Sequence, residues 1–189
     1  MKLDLYFIRH AETIYRPEDE DFNRPLSAKG KKDAEKLVNI FKDINFDKVY
    51  ASPYFRAIDT VKPLAEDKEL SIELMDNLRE RKVADHYIDD FFEFAAKQWN
   101  DFDYSLPGGE SYKEVQERGL KVLNKIVNNN QQGNIIVAGH GTWLGVMLNY
   151  FDDSFDYEDW RNIEMPDIYL FKYSNGNLKE IKKLSSITN

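Results

Sequence analysis

The sequence predicts an α/β protein: three layers, α/β/α, with helices on both faces of a mostly parallel central sheet. Two observations lead there. Short apolar runs at 3–9, 47–51 and 134–138 are each followed by a segment that reads as a helix, and strands alternating with helices build parallel sheets. Two further runs, 167–173 and 178–184, flank Asn175-Gly176, the dipeptide of a tight hairpin.

Residues 3–9 form the first buried strand, and the polar, acidic loop Pro17-Glu-Asp-Glu-Asp follows it. Ser27 is placed to cap a helix running to about residue 43, because a short hydroxyl side chain satisfies the first free amides. Ala34, Leu37, Val38, Phe41 and Ile44 give that segment one buried face. Residues 47–51 are a short strand. Ser52-Pro53 then reads as a cap followed by proline at the first helical position, opening a helix to about residue 66. Ile72–Leu74 is a further strand. Residues 84–107, rich in Asp and Phe with weak periodicity, are a helix-containing excursion over the sheet, ended by Pro107-Gly-Gly. Ser111 caps a helix to about residue 128 with Tyr112, Val115, Val122, Leu123 and Ile126 facing inward. The strand at 134–138 is central, 142–150 continue as a helix, and 152–159 are a solvated acidic loop.

The 189 residues suit one domain with a substantial core. Hydrophobic residues at 42% and charged residues at 32% are a globular composition. A net charge of −8 argues against nonspecific binding to nucleic acid or an anionic membrane. It leaves room for a small anionic substrate, since a local arginine cluster can outweigh the global sign. There is no cysteine, so disulfides and thiolate chemistry are excluded, and a cytoplasmic location is expected. The opening Met1-Lys-Leu-Asp-Leu-Tyr-Phe is too short and too charged for a signal peptide, and no apolar run approaches the ~20 residues of a bilayer span.

Four segments fall where a doubly wound sheet places its ligand crevice, outside the carboxyl ends of strands. They are Arg9-His10, Ser52 to Arg56, Leu78-Arg79-Glu80, and Gly139-His140-Gly141. Helix N-termini there would add amide donors and a positive dipole end. The residue types fit phosphoryl transfer. Guanidinium forks match phosphate oxygens and stay charged. A neutral imidazole is a competent nucleophile, and either histidine could serve. Glu80, close to a phosphate dianion, could protonate a leaving alkoxide.

These motifs resemble those of the histidine phosphatase superfamily, the phosphoglycerate-mutase-like family. Arg9-His10-Ala11-Glu12-Thr13 is similar to its Arg-His-Gly-Glu-Thr, and residues 26–34 to its Leu-Thr-x-x-Gly-x-x-Gln-Ala stretch. Residues 52–60 resemble Ser-x-x-x-Arg-Ala-x-x-Thr, 78–80 Leu-x-Glu, 108–111 a Gly-Glu-Ser segment and 139–141 the second histidine motif. Each is weak alone; five or six in the family's order are specific together. The resemblance implies a phosphoglycerate-mutase-like fold and a single domain over 1–189, with the 84–107 excursion lying over the active site. It also implies that His10 is the phosphorylated nucleophile, with Arg9, Arg56 and His140 around the phosphoryl group and Glu80 as general acid. It implies no metal and no organic cofactor.

Arg16, Gly141, Glu110 and Ser111 are further substrate-binding candidates, the last two through backbone amides. Ala11 stands where the family has glycine, and Arg16 where it often has an asparagine touching phosphate. Asp33 and Asp59 replace frequent glutamines and are read as helix surface; Arg24, Arg79 and Arg81 could rim the pocket but are read as solvated. His86 is placed near the mouth, outside the catalytic set. Phe91, Phe92, Phe94, Trp99 and Phe102 are expected to pack the excursion onto the sheet. The activity expected is metal-independent hydrolysis of a small phosphate ester through a phosphohistidine. A phosphoglycerate mutase using the same site is the alternative, and a noncatalytic phosphate-ester or protein-binding module is the alternative of another class. The substrate and the oligomeric state stay open.

Overall fold

The structure, a computed structural model, describes residues 1–15, 20–85 and 88–184. Its centre is a six-stranded sheet in the order β3-β2-β4-β1-β5-β6, formed by β1 (Lys2–Arg9), β2 (Lys48–Ala51), β3 (Ile72–Leu74), β4 (Gly133–Gly139), β5 (Asp167–Ser174) and β6 (Asn177–Leu184). The pairs β1–β4, β4–β2 and β2–β3 are parallel, β5 is antiparallel to β1, and β6 is antiparallel to β5. Five of the six strands therefore point the same way. The helices are α1 (Ala28–Ile40), α2 (Phe55–Asp67), α3 (Phe91–Asn100), α4 (Tyr112–Asn129), α5 (Gly141–Phe151) and α6 (Tyr157–Arg161). Among the described residues no helix is long and apolar enough to cross a membrane.

Alternation along β1 divides the core in two. Leu3, Leu5 and Phe7 face one side with Ile135, Val137 and Trp143. Tyr6 and Ile8 face the other with Ile136, Leu37 and Leu64. A strand buried on both faces needs apolar residues at successive positions, which explains the run from Leu5 to Ile8 in β1. Each fully buried large side chain contributes about 1.5–3 kcal/mol, so these strands are the firmest part of the fold. At the hairpin, Asn175 (φ 51°) and Gly176 (φ 76°) are both left-handed, the conformation that a two-residue turn between twisted strands requires.

Several local expectations are corrected. The first long helix ends at Ile40 with Phe41 as its cap position, short of residue 43. Ser52 does not cap α2, whose cap position is Tyr54 without a side-chain bond; its hydroxyl lies against His140 instead. The acidic stretch 152–159 is not wholly loop. Asp156 accepts the amides of Glu158 and Asp159 and Asp159 reciprocates, a capping box that starts α6. Asp33 is buried, held by Lys29 and Lys36. Phe92 is exposed.

The N-terminal turn of α1 anchors the segment that follows His10. The Ser27 hydroxyl donates to the Glu12 carboxylate at 2.6 Å and its amide to the Glu12 carbonyl at 2.9 Å. The helix approaches so closely that a Cβ at Gly30 would fall on that carbonyl oxygen. Gly30→Ala should therefore cost about 1–3 kcal/mol, as overpacking does, read as a lower urea midpoint at unchanged slope. An unchanged midpoint would show that α1 can back away.

Candidate active site

Register brings the two histidines together. Arg9 pairs with Gly139 across β1 and β4, and Ala51 with Ala138 across β2 and β4. The next residues, His10, His140 and Ser52, therefore emerge side by side from one edge of the sheet. The His10 amide closes the ladder on the Gly139 carbonyl and the Ser52 amide on that of Ala138, each at 2.9 Å. The imidazole centroids are 5.3 Å apart.

The hydrogen bonds define each ring's role. His10 Nδ1 lies 2.8 Å from the Ala11 carbonyl. A carbonyl only accepts, so Nδ1 donates and the lone pair of the neutral ring sits on Nε2. His140 Nε2 is 2.7 Å from Ser52 Oγ, while its Nδ1 is buried without a partner. Burial, then the charges of Arg56 and Arg9, hold His10 well below the usual histidine range. Burial, then Arg56 and His10, do the same to His140.

Arg56 is 1% exposed. Its guanidinium donates to the Asp21 carbonyl at 2.6 Å, approaches the Asp21 carboxylate at 3.2 Å, and lies 4.8 Å from the Tyr54 ring centroid. Arg9 donates to the Ile163 carbonyl and, at 3.4 Å, to that of Glu164. Gly141 makes room for it: a Cβ there would lie 2.7 Å from the guanidinium carbon of Arg9. Glu80 caps α5, accepting the Thr142 and Trp143 amides at 3.1 Å each. The amides expected to receive an anion at this helix end are thus engaged by a carboxylate, which a helix N-terminus favours equally.

Arg9, His10, Arg56 and Glu80 line one cavity of about 790 Å³. His140 is fully buried, behind the Tyr54 ring at a centroid distance of 5.1 Å. Of six buried side-chain polar atoms without a partner among the described residues, four belong here: Arg9 Nε, Arg56 Nε, Arg81 Nε and His140 Nδ1. Unpaired buried donors are expensive, and their concentration at one place marks a site that fits an anion. Among the described residues no group of three or more His, Cys, Asp or Glu side chains is placed to hold a metal.

Other candidates fall elsewhere. Arg16 and His86 lie outside the described residues. Glu110 and Ser111 are not part of the cavity wall. The Glu110 amide donates to the Lys82 carbonyl at 2.8 Å and the Ser111 amide to Glu114 at 2.7 Å. Both are spent on internal structure. The Glu110 carboxylate is an anchor for Arg79, Arg118 and the Lys82 amide. Arg81, read as solvated, is 4% exposed and lines the cavity. Arg24, also read as solvated, lines the same cavity, and Tyr54 and Asp21 are wall residues that the sequence reading did not name. The cation-next-to-Glu80 pattern signalled Arg81, but a charged run gives no sign of which member turns inward.

The model of the histidine phosphatase superfamily (branch 1) matches residues 5–181. The chain belongs to that superfamily. It is 26% identical over 155 residues to the adenosylcobalamin/alpha-ribazole phosphatase of Escherichia coli, covering 76% of each. It is 26% identical over 159 residues to rat 6-phosphofructo-2-kinase/fructose-2,6-bisphosphatase 4, covering 79% of this chain and 33% of that protein. The chain thus spans about a third of the length of that bifunctional relative. The fold is that of phosphoglycerate mutase from Bacillus anthracis, with a TM-score of 0.78, 19% identity and coverage of 99% and 94%. The expected fold, a phosphoglycerate-mutase-like three-layer sandwich, is the one found.

The lowered histidines carry a pH signature. As pH falls through about 6.5 the unfolded chain takes up protons at His10 and His140 while the folded protein does not. Stability is complete above that value and lost below it, at about 1.4 kcal/mol per pH unit per histidine. Urea unfolding from pH 7.5 to 5 should show this slope, and His10→Gln should reduce it. Equal slopes in both proteins would show that His10 protonates freely in the fold.

Proposed function

We propose that this protein is a metal-independent phosphomonoesterase that hydrolyses a small phosphate ester through a phosphohistidine on His10. The observation that supports it most is the pairing of His10 Nδ1 with the Ala11 carbonyl, which directs the lone pair to Nε2 in a cavity whose wall carries Arg9, Arg24, Arg56 and Arg81. In this reading Nε2 attacks phosphorus and the bond to the ester oxygen breaks. The leaving alkoxide takes a proton from Glu80. Glu80 then accepts a proton from the water that attacks the phosphohistidine, the P–N bond breaks, and inorganic phosphate departs.

Arg9, Arg56 and His140 carry the charge spread over the transferred group, as pre-placed donors do in phosphoryl transfer. Burial and the neighbouring cations keep His10 unprotonated at neutral pH, so the nucleophile needs no separate base. In this reading the 84–107 excursion belongs to the same domain and selects the alcohol, since Ala84, Ile88 and Phe91 contribute to the cavity wall.

Purified protein should release inorganic phosphate from an aryl phosphate with or without a chelator. His10→Ala should bring that turnover to background, and Glu80→Gln should lower it about 10²- to 10⁴-fold on an unactivated alkyl ester. Undiminished turnover in His10→Ala would refute the phosphohistidine route. Loss of activity on chelation would refute metal independence, and interconversion of 2- and 3-phosphoglycerate without phosphate release would favour a mutase. The Asp21 carboxylate already lies on Arg56, so phosphate must compete with it. Asp21→Asn should lower the inhibition constant for inorganic phosphate about two- to fivefold, the scale of a partly exposed ion pair; an unchanged constant would mean that Asp21 swings away without cost.

A further inference from the structure

Arg9 and Asp167 stand directly opposite each other where β1 pairs with β5. Both continue the sheet face that carries Phe7 and Tyr169. Opposed residues of such a pair have Cβ atoms about 4.5–5.5 Å apart, and opposite charges at that spacing are expected to join. Here they stay apart. Arg9 donates to the Ile163 and Glu164 carbonyls, and no hydrogen bond or ion pair links it to Asp167.

Asp167 is fully buried, and its carboxylate is engaged by three other donors. Oδ1 accepts the Ile168 amide at 3.0 Å and Oδ2 the Glu164 amide at 3.1 Å. Oδ2 also meets Lys183 Nζ at 2.7 Å. Lys183 lies across from Tyr169 on β6, its ammonium 5.8 Å from that ring's centroid, and reaches Asp167 diagonally past the ring. The Glu164 contact fixes the same turn whose carbonyls hold Arg9. A buried carboxylate without a cation is costly, so without Lys183 the Asp167 carboxylate would turn to Arg9, the cation directly across the strand pair. The two already sense each other: burial lowers the Arg9 pKa, and the charges of Glu80 and then Asp167 oppose that shift.

We infer that Lys183 is a positioning residue for the candidate site: by holding Asp167 it keeps Arg9 on neutral carbonyls, with its charge uncancelled and available to a phosphoryl group. Lys183 sits on the outermost strand and is not part of the cavity wall, so its effect passes through Asp167 and Arg9. The inference rests on the phosphomonoesterase reading above, in which Arg9 meets the phosphoryl group, and adds a residue that supports that role from outside the cavity.

The test is a double-mutant cycle on the full chain, read as the dissociation constant of inorganic phosphate by calorimetry and as kcat/KM for an aryl phosphate. The Lys183 side chain is 42% exposed, so replacing it leaves the core intact. Lys183→Met should weaken phosphate about 3- to 30-fold, the range for side chains sharing one network, and lower kcat/KM at least as far. Lys183→Arg, which keeps a cation on Asp167, should stay close to the unmodified protein. Asp167→Asn in the Lys183→Met background should return both quantities toward the unmodified values, because an amide oxygen still accepts the Glu164 N–H without drawing Arg9 away. Lys182→Met removes a like charge from the opposite face of β6 and should change neither. An unchanged phosphate constant in Lys183→Met overturns the inference and leaves the phosphatase reading standing. A loss that Asp167→Asn fails to restore, or an equal loss in Lys182→Met, also overturns it, since the charge would then act at a distance rather than through Asp167. An unmodified protein that neither binds phosphate nor hydrolyses the ester removes both.

Discussion

The parallel register of β1, β4 and β2 is the constraint from which the site follows. Their hydrogen-bonded pairing aligns Arg9 with Gly139 and Ala51 with Ala138, so His10 and His140 share one level and Ser52 stands one residue short of them, beside Gly139. A slip of one residue would turn every side chain of a strand to the opposite face. It would bury the wrong apolar set and separate His10 from His140 and Ser52 together. The packing of both faces against helices thus fixes the geometry of the candidate site as a consequence of fixing the core.

Electrostatics at that edge are arranged by burial. Arg56 and Arg9 are held by backbone carbonyls as much as by carboxylates. A carbonyl takes up donor capacity without cancelling charge, which leaves the positive potential available to a ligand. That potential, added to desolvation, keeps both imidazoles neutral. Glu80 occupies the end of α5, where a carboxylate replaces the free anion that such a helix end could bind.

Charge in the neighbouring segment is divided by partner. Arg79 and Arg118 converge on Glu110 and tie the start of α4 to the loop carrying Glu80. Arg81 turns the other way, into aromatic rings and Gln98. Three arginines of similar sequence appearance therefore have different work, two holding the scaffold and one facing the cavity. The aromatic residues of the excursion serve both sides, Trp99 packing against Tyr112 and Phe102 while Phe91 reaches the cavity.

The sequence by itself determined the chain order of the strands and of the helices apart from α6, the apolar runs that bury β1 and β4 on both faces, and the motif residues His10, Arg9, Arg56 and Glu80. These are local properties: periodicity, turn chemistry and spacing act within a few residues and are readable from one chain. It misjudged Ser52, the α6 cap and Asp33, where a polar side chain finds a partner close in space or shifted by a turn. Only the tertiary structure decided that Arg81 is interior, that Glu110 is a scaffold anchor, that Asp21 lies on Arg56, and that His140 sits behind Tyr54. Each depends on a contact between segments far apart in sequence, and a charged residue's own neighbours do not reveal whether its partner is water, a carboxylate or an aromatic face.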